Sequence, residues 1–359
     1  MPGRRLSSER GSIVNQVGVG LLALTAFMTF VVDYGILWVS RNQAQNAADS
    51  AALAGAVALA YDVGDAYPNQ GAALNAAQTI GAKNVIWDAA ASVDPAGVTF
   101  PACAGAHCVR VEVVRDPLPT WFGPLIGVTQ QRVRAVATAS SLPANASTCL
   151  KPWAVANKPG AGYTIDQDMG QPITLELAEP TDESEDVHAG WVQPINVDPT
   201  AGDPIAAYSN AIANCVGVIW RAGPDIPQPI LADVEAQTEN AVEALTALDP
   251  DAQWDAVDGR LEDSCVQPEP NYSCAVAGFM HSPRIVSVGV FDPIEFEAGG
   301  GPGVAAPRIV NILGVFVEGW DAGTKSIVGR IVAKPDLRVL DADTINPQSS
   351  FVKYIQLVR

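Results

Sequence analysis

Six cysteines, Cys103, Cys108, Cys149, Cys215, Cys265 and Cys274, are the residues most suited to covalent chemistry, and none precedes residue 103. Their even number and the two close pairs point to disulfides formed in an oxidising compartment. Proximity and elimination suggest 103–108, 149–215 and 265–274, one of the fifteen pairings that six cysteines allow. Thiols paired in this way are lost as nucleophiles. Metal binding is the rival chemistry, because the run CAGAHC sets His107 beside Cys108. No C-x-x-C occurs, however, and His188 and His281 have no ligand-like spacing.

Acidic clusters are the other groups that could hold a ligand: EPTDESEDVH (179–188), LDPDAQWDAVDGRLEDS (248–264) and LDADTINP (340–347). Asp249, Asp251, Asp255 and Asp258 could gather oxygens around Ca²⁺, but they lack the glycine and closing glutamate of an EF-hand loop. A solvated acidic loop is the preferred reading. No G-x-S-x-G, G-x-x-x-x-G-K-[ST], G-x-G-x-x-G or H-E-x-x-H is present. The sequence therefore predicts no enzyme, no cofactor and no metal. With 21 Lys and Arg against 39 Asp and Glu, the net charge is −18. Such a chain has too few cations to displace the counterions of a phosphate backbone, which excludes nucleic acid as a partner.

One element must carry these groups to their compartment. Residues 11–32 contain no charged side chain, and a helix of that length spans about 33 Å, enough for a bilayer core. Arg4, Arg5 and Arg10 precede the run, offset only by Glu9. That bias keeps the N-terminus in the cytoplasm and puts everything after Asp33 outside. The cysteine distribution requires the same orientation. Gly18 and Gly20 are small residues of the kind that membrane helices use in contacts. Asp33 falls at the outer end, near water, where the sequence gives it no need of a buried partner.

Helical spacing continues beyond Asp33. Leu37, Ser40, Ala44, Ala47, Ala48, Ala51, Ala54, Gly55 and Ala58 share one face, and Asn42, Gln45, Asn46, Asp49 and Ser50 another. The spacing predicts one helix of about fifty residues, half in lipid and half in water. Its small-residue face packs on its own domain or on a neighbouring subunit. Ala58-Leu59-Ala60 offers a different outcome, cleavage after Ala60 to release a secreted binding module. It lies far past the apolar run, whereas signal peptides are cut just beyond theirs, so a retained stalk is the preferred reading.

The segment ERGSIVNQVGVGLLALTAFMTFVVDYGILWVSRNQAQNAADSAALAGA resembles the N-terminus of TadE/TadG-like proteins of the Flp (tight adherence) pilus-assembly group. The motifs are Arg10-Gly11, the apolar span, Val32-Asp33-Tyr34-Gly35, Arg41, and Gln45 to Gly55. LPTWFGPLIGVTQQRVRAVATAS (118–140) is also similar to a segment of TadG-like members. Helical spacing, the small residues of the apolar run and the resembling motif together mark Gly18, Gly20, Asp33, Tyr34, Gly35, Ala44, Ala47, Ala48, Ala51 and Gly55 as the expected membrane and stalk interaction residues. The resemblance implies a single-pass protein of the bacterial cytoplasmic membrane, with membrane lipid and other pilus or envelope proteins as partners through the N-terminal helix. Pilins of this system are cut at a glycine with a glutamate five residues on; here Gln16 stands at that distance from Gly11, which speaks against such processing. The Asp-x-Ser-x-Ser of a von Willebrand A metal site is absent.

Downstream, YDVGDAYPNQGAA (61–73) breaks the helix and 72–84 reads as a second one. VRVEVVR (109–115) and QRVRAVATASS (131–141) read as strands. Pro143 and the polar residues after it mark a boundary near 142–148. Beyond it come many short strand candidates, including CVGVIWR (215–221), and one helix over 229–248, a pattern that suits a sandwich or barrel. The expected fold is α+β: a cytoplasmic end (1–10), a transmembrane and stalk helix (11–60), a small pilin-like α+β subdomain (61–142), and a β-rich, disulfide-stabilised extracytoplasmic domain with one inserted helix (143–359). The expected function is a structural component, TadG-like minor pilin or assembly protein, of a Flp-type pilus.

Overall fold

Between Gly3 and Tyr67 the chain has no proline, and alanine is its commonest residue, so nothing interrupts an N-terminal helix. In the computed structural model that helix runs Arg10–Ala60, 51 residues without a break, a rod of about 75 Å. The structure describes residues 10–61, 70–103, 106–179, 186–256, 259–264 and 282–358. The described chain is α+β, a long apolar helix followed by a β-rich region that holds two disulfides.

The chain divides into two compact units, the first made of residues up to 51, 77–99 and 110–137, the second of 52–76, 100–109 and 138–359. In the first unit the helix is held through polar links. Asn84 Nδ2 donates to Ser50 Oγ at 2.9 Å, the Trp87 amide to Gln43 Oε1 at 2.7 Å, and Gln45 Nε2 to the Val136 carbonyl at 3.3 Å. Gly81 permits close packing: a Cβ there would lie 2.5 Å from Val93 Cγ2 and 3.1 Å from the Ala51 methyl. The strands Ala106–Pro119 and Gln130–Pro143 are sheet neighbours, joined by a turn over 120–129.

The second unit contains a seven-stranded sheet. Its order runs Gln228–Pro229, Trp191–Asn196, Leu150–Ala156, Ile285–Phe291, Ile309–Asp321, Ser326–Val332, Pro172–Leu177. The last strand also pairs in parallel with Trp191–Asn196, so six strands close into a ring, which removes their free edges. Side chains alternate across the strands and feed two apolar clusters. Trp153, Val155, Leu175, Val288 and Val315 lie in one, and Leu150, Ala154, Trp191, Phe291 and Ile312 in the other. The first is completed by Tyr208 and Ile212 of the helix Pro204–Ala213 and by Val242 and Leu245 of the helix Glu235–Thr246. Polar atoms in that cluster are paired: Trp153 Nε1 donates to Tyr208 Oη at 3.0 Å, and Tyr208 Oη lies 2.9 Å from Thr238 Oγ1.

The structure departs from the sequence expectation at the ends of elements. The helix expected over 229–248 begins only at Glu235, because Gln228–Pro229 is used as a strand beside Ile195–Asn196. Of 215–221 only Trp220–Arg221 pairs, with Ala146–Ser147; Gly217 at φ +84° and the Cys149–Cys215 bond shape the rest. The helix Pro204–Ala213 was not anticipated from the strand pattern. Its signal is local, since Asp203 accepts from the Ile205 and Ala206 amides and Pro204 occupies the first turn.

Candidate functional site

The N-terminal helix changes character at a single residue. Every described side chain from Ile13 to Val32 is exposed, and the first buried one is Asp33. From there Ile36, Ser40, Ala44, Ala47, Ala48 and Ala51 continue one buried face. At 100° per residue these positions lie within one stripe that includes Asp33. The helix, over Ile13–Ala60, is long and apolar enough by length and composition to cross a membrane.

Asp33 departs from expectation. It is 5% exposed rather than facing water. Its Oδ1 accepts from the Trp121 amide at 2.9 Å, and its Oδ2 from the Phe122 amide at 3.1 Å and the Gly123 amide at 2.6 Å. Three successive N–H groups thus converge on one carboxylate, a small anion nest. Bonds of this kind to a charged acceptor contribute about 1.5–3 kcal/mol each, which offsets the desolvation of the carboxylate. Only glycine suits position 123, since a Cβ would sit 2.2 Å from the Val128 carbonyl oxygen. Thr120 Oγ1 and the Val128 amide close the same turn with bonds of 3.0 and 2.9 Å. The partner of Asp33 lies 88 residues away in sequence, so no local pattern around Asp33 reveals it; the glycines at 123 and 127 are the only cue.

The other residues expected at this site divide into two groups. Gly18, Gly20 and Gly35 have open space where a Cβ would be, and Tyr34 is exposed and stacks on Phe30 with centroids 5.2 Å apart. Ala44, Ala47, Ala48 and Ala51 are fully buried. At Gly55 a Cβ would come 2.8 Å from Val109 Cγ1 and 3.3 Å from the Ala73 carbonyl oxygen. The small-residue face is therefore covered by its own chain, one of the two packings left open by the sequence.

Cys103–Cys108 and Cys149–Cys215 are bonded as expected. Cys265 and Cys274 lie outside the described residues. Among the described residues no three His, Cys, Asp or Glu side chains converge as a metal site; Asp258, of the proposed Ca²⁺ group, is not described. Asp249 instead accepts from Ser264 Oγ at 2.7 Å.

One constellation that sequence reading missed has nucleophile-and-base chemistry. Ser287 Oγ receives a bond from Lys334 Nζ at 2.9 Å and donates to Asp336 Oδ2 at 2.6 Å. Burial lowers the Lys334 pKa, as a Ser–Lys pair would need. Ser287 is wholly buried in the sheet, and a surface groove lined by Ser209, Asn210, Ala213, Ala236, Gln237, Asn240, Ala241 and Ala244 does not include it. With the serine at 0% exposure, the group reads as an internal polar tie. Lys151 and Lys353 are likewise buried, which pushes each ammonium down to about 8; for Lys151 the nearby Lys334 adds to the effect. Lys151 Nζ donates to the Ala211 and Asn214 carbonyls, both at 3.1 Å.

Residues 11–58 match the family model of TadE/G-like Flp pilus-assembly proteins. The match spans the apolar stretch, Asp33 and the buried alanine face, and it supports a role related to Flp pilus assembly. No curated protein and no solved structure matches the chain.

Proposed function

We propose that this chain is a non-enzymatic, membrane-anchored structural component of a Flp-type pilus or related envelope apparatus, of the TadG-like kind. Residues 11–32 cross the cytoplasmic membrane with the N-terminus inside, and the rest of the chain lies outside it. The observation that carries this reading is the abrupt change at Asp33, within the segment that matches the pilus-assembly family. Some twenty uncharged and mostly apolar residues exposed on all sides cannot be left in water. Immediately after them the same helix has a face packed within the chain. The charge bias of Arg4, Arg5 and Arg10 supports the orientation. Contacts to other pilus proteins fall to the lipid-facing glycines, Gly18 and Gly20, because the alanine face beyond Asp33 is already occupied.

The test is alkaline extraction of membranes combined with N-terminal sequencing and protease protection. The full-length chain is expected to stay with the membrane, keep residues 12–60, and be digested only from the outer side. A mature N-terminus at Tyr61 would replace this reading with a secreted binding module.

A further inference from the structure

We propose that the turn over residues 120–129 is a second membrane contact, lying in the headgroup layer of the bilayer that residues 11–32 cross; the inference rests on the anchoring reading above. Residues 117–131 carry no charged side chain, and charges resume on either side with Asp116 and Arg132, 3.8 Å apart. Within this stretch, PLPTWFGPLIGVTQQ, Trp121 is 70% exposed and Val128 is also exposed. An indole left open on an otherwise well-built turn calls for a partner, and the same turn is fixed by its backbone to Asp33.

That attachment selects lipid over water or protein. Asp33 is the first charged residue after the uncharged run, so it stands at the water-side limit of the apolar core. Its carboxylate holds the amides of 121–123, which sets the turn at that depth. The exposed aromatics of the helix lie at the same level: Phe30, Tyr34 and Trp38 recur every four residues on one face. Aromatic rings with a polar edge concentrate at this layer of a bilayer. The turn thus extends the exposed apolar surface of the helix sideways rather than starting an isolated patch. Asp33 acts as a positioning residue: it touches no lipid itself, and it places Trp121 where lipid is.

The test uses the full-length protein in vesicles of phosphatidylethanolamine and phosphatidylglycerol carrying bromine-labelled phosphatidylcholine, which quenches nearby tryptophan. Trp121→Phe is expected to remove part of the lipid-quenched emission, and Phe27→Trp to add a quenched component from within the span. Asp33→Ala should abolish the Trp121 contribution while the Phe27→Trp signal persists. If Phe27→Trp is quenched but Trp121→Phe changes nothing, the anchor stands and the turn faces water or a protein partner, which overturns the proposal. If neither responds to bromolipid, the anchoring reading itself is wrong and the proposal fails with it. Should Asp33→Ala not fold, the first two variants still decide the matter.

Discussion

The two halves of the N-terminal helix share one backbone and opposite solutions to apolar surface. Residues 13–32 expose valine, leucine and phenylalanine on every side, whereas residues 33–60 bury one face made mainly of alanine. Large side chains gain most from a fluid apolar solvent that adapts to them. Alanine and glycine gain most from a rigid neighbour that can approach the helix backbone closely. The difference teaches that a single helix can carry two kinds of surface, one exposed and one packed within the chain, with the boundary marked by one buried carboxylate; on the proposed anchoring, each half is matched to its own solvent.

Four experiments bear on that contrast. Removing Cys149–Cys215, which spans 66 residues, should cost the water-folded region about 4 kcal/mol by loop-closure entropy and leave membrane association intact. Thermal unfolding and alkaline extraction of the Cys149→Ser/Cys215→Ser protein would show both. Leu22→Arg, at the centre of the uncharged run, should do the reverse. It should cost insertion roughly 2.5–3.5 kcal/mol and shift the chain to the extractable fraction, while Asn46→Arg on the exposed stalk face has no such effect.

Gly55→Val and Gly18→Val separate the halves on equal chemistry. At Gly55 the new methyls meet Val109 and the Ala73 carbonyl, and a loss on the order of 1–3 kcal/mol is expected. At Gly18 there is open space, and unfolding of the soluble region should shift by less than about 0.5 kcal/mol.

The smallest expected effect is a pH dependence confined to the water-folded region. Lys151 and Lys353 fall from an ordinary 10.5 to about 8 through burial. Between those values the unfolded chain holds more protons than the folded one, so stability rises as pH increases through that window. Above about pH 10 the phenols of Tyr61, Tyr163 and Tyr208, pushed up to about 12 mainly by burial, reverse the sign, because the unfolded chain then loses its protons first. Urea midpoints should therefore be higher near about pH 9.5 than near about pH 7.5. Lys353→Met should flatten the rise by roughly 1–2 kcal/mol. A profile unchanged by Lys353→Met would show that the amine is not what titrates.

Much of this was legible in the order of residues because it depends on periodicity. The helix, its apolar half, its alanine face and the strands at 109–115 and 131–141 all follow from spacing along the chain. Two cysteine pairs were legible from proximity and elimination. Features that depend on distant partners were not. Sequence alone put Asp33 in water because its acceptor role requires amides 88 residues away. Pro204–Ala213 was hidden because its caps are short and its surroundings read as strands.

Sequence by itself determined that one long helix forms, that its first part is apolar and uncharged, and that the chain is strongly acidic; these are sums over neighbouring residues. Tertiary structure alone decided that the alanine face is covered within the chain, that six strands close into a ring, and that Asp33 seats the 120–129 turn. Each of those depends on groups far apart in the chain being brought within bonding distance, and no property of either partner alone specifies it.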